Sequence, residues 1–152
     1  MAEMKEKMSQ GWLHVHIIIE ILGKPADYIE KVIEAAVDQM GKEKGVEIIN
    51  KGFSKAKAVG DAKEVFTTFT EVEFLVEDMA KLVDIVFDYM PASIEIVEPP
   101  SVSFKLEDAN AMLNDITAKL HQYDAITKKL RLENEVMKKK LAGFMEKEKK
   151  EK

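Results

Sequence analysis

The stretch LHVHIIIEIL, Leu13 to Leu22, sets Leu13, Val15, Ile17, Ile19 and Ile21 at every second position. An apolar period of two marks a strand with one face in a core. Next in the chain, Gly23-Lys24-Pro25 breaks the strand and opens a helix, with Pro25 where a helix tolerates it best. Ile29, Val32, Ile33, Ala36, Val37 and Met40 then recur at helical spacing, and Gly41 is a natural stop. Val46 to Asn50 reads as a second strand that runs on to Ala58 with a bulge at Gly52. Gly60-Asp61 supplies turn chemistry. Val65 to Val76 is a third strand, with Phe66, Thr68, Thr70, Val72, Phe74 and Val76 on one face. Glu77-Asp78 begins a second helix, acid where the helix dipole is positive. Its apolar stripe is Met79, Leu82, Val83, Val86 and Met90, and Pro91 ends it. Ser93 to Val97 is a fourth strand, followed by the stiff Glu98-Pro99-Pro100.

The order strand, helix, strand, strand, helix, strand over residues 11–98 resembles the ferredoxin-like α/β plait. That resemblance implies an α+β fold: a four-stranded antiparallel sheet in the order 4-1-3-2, with both helices on one face. ACT-type regulatory domains are distantly similar in element order, and Gly23 and Pro25 fit their ligand loop, though Ala26 stands where a Gly usually follows. In size and layout the chain also resembles small uncharacterised archaeal proteins.

A different period governs the last third. Leu106, Ala109, Leu113, Ile116, Leu120, Tyr123, Thr127, Leu130, Asn134, Met137, Leu141 and Phe144 alternate at spacings of three and four. This heptad seam predicts one long coiled-coil-like helix over 106–145 that joins copies of the chain, with Leu113, Ile116, Leu120, Tyr123, Leu130, Asn134, Met137 and Leu141 as oligomerisation residues. A helix over 106–144 would be about 58 Å long against about 30 Å for a small domain, so its own domain cannot cover it. A helical hairpin breaking near His121 to Asp124 is the alternative, but no Gly or Pro lies between Ser101 and Ala142. With Leu113 at position a, Asn134 also falls at a, a placement tolerated in parallel pairs. Lys119 at g faces Asp124 at e of a partner, and Glu133 faces Lys138. Leu132-Glu133-Asn134-Glu135-Val136 resembles leucine-zipper sequence in a shifted register, and Ile126, Leu132 and Val136 lie off the seam. The expected organisation is a flexible start over 1–10, the plait over 11–98, a linker over 99–105, the oligomerisation helix over 106–145 and a charged tail over 146–152.

Charge separates the same two parts. Residues 1–100 hold 11 lysines against 19 acidic residues, and residues 101–152 hold 12 basic against 9 acidic, giving −8 and +3. Arg131 is the only arginine, and the Lys/Glu-rich composition without Cys is of the kind seen in heat-adapted proteins. The absence of cysteine removes disulfides, thiolate metal sites and a thiol nucleophile. No apolar run reaches the roughly 20 residues of a membrane span, and Met1 to Gln10 lacks a signal-peptide core, so a cytoplasmic protein is expected.

In a plait, the sheet face away from the helices carries His14, His16, Ile18 and Glu20 from the first strand and Val65, Thr67, Phe69, Glu71, Glu73 and Leu75 from the third. His-x-His puts two imidazoles on one side, about 7 Å apart at the backbone. With Glu71 or Glu73 they form a donor set for a divalent metal, so His14, His16, Glu71 and Glu73 are the metal candidates; no other cofactor is expected. The competing reading is a half-polar face buried between subunits, its His and Glu in cross-strand pairs. RNA-recognition domains stack bases on aromatics, whereas this face offers Phe69 beside Glu71 and Glu73, so nucleic acid is disfavoured. Plait metallochaperones need a Cys pair, and acylphosphatases an Arg in the first loop; both are missing. Lys51, Lys55 and Lys57 are expected to guard an edge strand. No nucleotide-binding, metalloprotease or nucleophile-elbow motif occurs, and no carboxylate pair stands out as catalytic. The expectation is a non-enzymatic homo-oligomeric scaffold or partner-binding module. The alternative is an ACT-like sensor of a small molecule or divalent metal.

Overall fold

A computed structural model describes residues 2–60 and 62–150, with side chains at 4–60 and 64–145. Its elements are α1 (Ala2–Ser9), β1 (Leu13–Gly23), α2 (Ala26–Met40), β2 (Val46–Phe53), β3 (Lys57–Val59), β4 (Ala62–Val76), α3 (Met79–Tyr89), β5 (Ser93–Glu98) and α4 (Leu106–Lys150). The chain splits into two compact units, Met1–Phe104 and Lys105–Lys152.

The first unit is the α+β plait. Its sheet runs β2-β4-β1-β5, with β3 added beside β4. Each of these pairings is antiparallel, and β1 meets β4 from Leu13↔Val76 to Gly23↔Phe66. The alternation in β1 places Leu13, Val15, Ile17 and Ile19 in one core with Val72, Phe74 and Val76 of β4. Ile33, Val37 and Met40 of α2 and Leu82 and Ile85 of α3 close that core from the same side. At roughly 25 cal/mol per Å² of apolar surface, burial here is the main favourable term of the fold. Thr68 and Thr70 are buried in the sheet but satisfied: their hydroxyls donate to the carbonyls of Ser54 and Gly52, each at 2.9 Å.

Three details depart from the sequence reading. The second strand is interrupted at residues 54–56, and its bulge falls between Ile48 and Asn50 rather than at Gly52. Side chains replace the ladder in the gap: Ser54 Oγ accepts from Phe69 N at 2.9 Å, and Glu30 Oε1 accepts from Ala56 N at 2.8 Å. In α3 the buried positions are Leu82 and Ile85, while Met90 is 61% exposed as a left-handed C-cap at φ 43. Residues 1–10, expected to be a flexible start, contain α1.

The second unit is α4, whose 45 residues span about 68 Å. The helix is continuous through His121 to Asp124, where a hairpin would have broken it, and it extends past residue 145 to Lys150.

Candidate functional site

Two surfaces stand out, one on each unit. On the plait, β1 and β4 turn their other residues to the face away from α2 and α3. The register builds rows across the sheet: Glu47, Leu75, His14 and Glu98; then Asn50, Glu73, His16 and Glu95; then Gly52, Glu71, Ile18 and Ser93. Glu20 lies opposite Phe69 one step further. These rows bring in carboxylates from the two flanking strands that sequence reasoning about the central pair did not place, because their register was not legible.

The first row is not open. Leu75 is 1% and His14 7% exposed. Lys7 of α1 forms an ion pair with Glu47, and its ammonium sits 4.9 Å from the Trp12 ring centroid. Those contacts bring α1 to this end of the face. His14 Nε2 lies 2.7 Å from Glu73 Oε1, and its Nδ1 is buried with no hydrogen-bond partner. His16 stands opposite Glu73 on the ladder, and Glu71 opposite Ile18. Among the described residues no group of three or more His, Asp or Glu side chains is placed to hold a metal ion. The structure therefore joins His14 to Glu73 and does not assemble the four proposed ligands. Glu73 pairs along the diagonal with His14, whose own ladder partner is Leu75.

Elsewhere on the plait, a shallow cleft of about 680 Å³ lies between the end of α2 and β2, lined by residues including Val37, Gly41, Ile48 and Lys51. Lys51 pairs with Asp38 at 2.8 Å, which holds that carboxyl below its ordinary value through the hydrogen bond and the charge. Lys55 pairs with Glu30 at 3.3 Å. These edge lysines are engaged by α2. In the first loop Pro25 occupies the N-cap position of α2 and Ala26 its first residue, and Gly23 packs so tightly that a Cβ would stand 3.0 Å from Ile29 Cγ2. Lys24 and Pro25 of that loop are exposed.

On α4 most of the seam is exposed, while Ala109 and Ile116 are half-buried. Leu113, Leu120, Leu130, Met137, Leu141 and Phe144 are each more than half exposed. Thr127, Leu130, Arg131 and Asn134 edge a shallow depression with Glu135 and Lys138. In heptad terms the first four occupy positions a, d, e and a, the diamond that receives one side chain of a facing helix. Exposed pairs decorate the flanks: Lys128 with Asp124 at 2.6 Å and Lys129 with Glu133 at 3.8 Å, each at i,i+4. Among the described residues no helix is long and apolar enough to cross a membrane.

Fold and surfaces together define a plait domain carrying a long helix with an uncovered apolar seam. The chain belongs to the MJ0538 family, whose model matches residues 14–151. The match takes in residues of both units. It fits the resemblance to small uncharacterised archaeal proteins at the level of family. Among curated proteins none matches the chain.

Proposed function

We propose that this protein is a non-enzymatic scaffold or partner-binding module that assembles with its own kind through α4. One observation carries the reading: a 45-residue helix with leucines at heptad spacing, each more than half exposed. Soluble monomers rarely expose contiguous apolar surface on this scale, and such a patch marks an interaction site. Packing supplies most helix stability in proteins, and the exposed leucines of α4 offer an apolar surface for it. A second copy of the same seam supplies that cover at matching length and chemistry. The plait then serves as the displayed part, with the part of its sheet face carrying the exposed Glu20, Glu71 and Glu95 as the surface offered to others.

The test uses the full chain with Leu120→Glu and Leu130→Glu together. Both side chains lie in the seam and away from the plait core. Light scattering is expected to show a mass above one 17.2 kDa chain for the native protein and one chain for the variant. A native protein that is already monomeric at micromolar concentration removes this reading.

A further inference from the structure

We propose that two α4 helices pair in parallel and in register, so that both plait domains are tethered at the same end of one rod. This rests on α4 being the assembly element and adds its partner number, direction and alignment.

In the parallel pair every seam position meets itself. Thr127 meets Thr127 of the second copy, and Asn134 meets Asn134. Both polar side chains then find a hydrogen-bonding mate inside an apolar seam, which a buried amide requires. The four-residue depression at Thr127, Leu130, Arg131 and Asn134 receives Leu130 of the second copy. In the antiparallel pair of full overlap, Leu106 lies against Phe144. Asn134 then meets Ile116, and Thr127 meets Tyr123. The amide at 134 loses its mate and sits against an aliphatic side chain.

The flanking charges point the same way. A parallel pair brings residue g of one helix beside the next e of the other. Lys119 then meets Asp124 and Glu133 meets Lys138, each twice by symmetry, and the remaining facing pairs contain no like charges: Met112 with Thr117, Ile126 with Arg131, Lys140 with Met145. The antiparallel pair keeps one attraction, Lys119 with Glu133, and sets Asp124 against Asp124. Asp124 and Glu133 already pair with Lys128 and Lys129 of their own helix. Exposed pairs of that kind contribute little, so sharing them across the seam costs little.

Parallel pairing has a consequence for the plait. Helix axes in such pairs lie about 8–10 Å apart. The two chains therefore enter the rod side by side, and both plait domains are tethered to the same end of it.

The chain contains no cysteine, so single substitutions report direction without background. Leu113→Cys and Met137→Cys are prepared separately in the full chain, and also mixed while reduced, before oxidation. Parallel pairing predicts that each variant alone links into a covalent dimer, because like positions face each other within disulfide range. The mixture is then expected to add no link between the two variants. Antiparallel pairing in full overlap predicts the reverse: links only in the mixture, where position 113 faces position 137. Links confined to the mixture, or no links while light scattering still shows a dimer, overturn the parallel arrangement and leave α4 assembly standing. A mass of three or four chains overturns the two-stranded pair alone. A monomer overturns both.

Discussion

Glu43 ties the turn after α2 to α3. Its carboxylate accepts from the Tyr89 hydroxyl at 2.5 Å and pairs with Lys81 at 2.7 Å. Burial pushes the Glu43 carboxyl up, but the hydrogen bonds from Lys81 and Tyr89 outweigh it and hold the group below its ordinary 4.5. Lys81 is raised above 10.5 by its hydrogen bond to Glu43. Burial, then Glu43, pushes the Tyr89 hydroxyl up, so it stays a donor. The sign of each shift sets a pH window. A carboxylate depressed in the folded state stabilises above its unfolded pKa and loses that contribution as pH falls through the folded value. Lys81 keeps its contribution below 10.5 and loses it as pH rises through its raised value. Glu43→Gln is therefore expected to cost about 1–2 kcal/mol at pH 7, with a smaller gap to the native protein at about pH 3. Urea denaturation at the two pH values measures it, and a gap that does not narrow on acidification contradicts the assignment. Nothing in the local sequence announces this cluster, since Glu43 and Tyr89 are 46 residues apart. Only the fold makes them neighbours. The same holds for His14 and Glu73: their strands and shared face were legible from alternation, but the diagonal that pairs them depends on register.

Among the elements, legibility followed period and length. β1 and β4 alternate over many residues, so their buried faces could be read directly from the sequence. The order of the sheet followed from the plait pattern those elements build. The β2–β3 edge could not be read, because its break is made by contacts from elsewhere, Glu30 of α2 and Thr68 and Phe69 of β4. Helix α1 was missed because its eight residues are mostly polar and its anchor is long-range, Lys7 to Glu47. Its composition of Ala, Glu, Lys and Met before Gly11 at φ 93 was the available signal. Helix α3 shows the opposite case, a local rule that holds. Asp78 is its N-cap, and the side chain accepts from Lys81 N at 2.8 Å. Asp78→Ala removes that acceptor and should cost about 1 kcal/mol. Asp78→Asn keeps the acceptor and is expected to retain most of that stability. Equal losses for the two in urea titrations would show that the charge, rather than the cap bond, carries the effect.

For the whole molecule, the two units draw their stability from different sources. The plait has a core closed by two helices on one sheet face, so it depends on its own contacts. In α4 the leucines and aromatics of the seam lie open, and the i,i+4 ion pairs add only a few tenths of a kcal/mol each. Under the proposed assembly, the helicity of α4 is expected to be coupled to association, while the plait melts on its own core contacts. Mass action then separates the two in one experiment. Between about 100 and about 1 μM, the midpoint for loss of helical signal is expected to fall with dilution, because each tenfold change in concentration moves a dimerisation equilibrium by about 1.4 kcal/mol. The melting of Trp12, which lies between α1 and β1 of the plait, is expected to stay fixed over the same range. Circular dichroism and tryptophan fluorescence on the same samples read the two transitions. Two midpoints that move together would mean that plait and helix fold as one cooperative assembly. Two that both stay fixed would mean that α4 holds its helix without a partner, and the exposed seam would need another explanation.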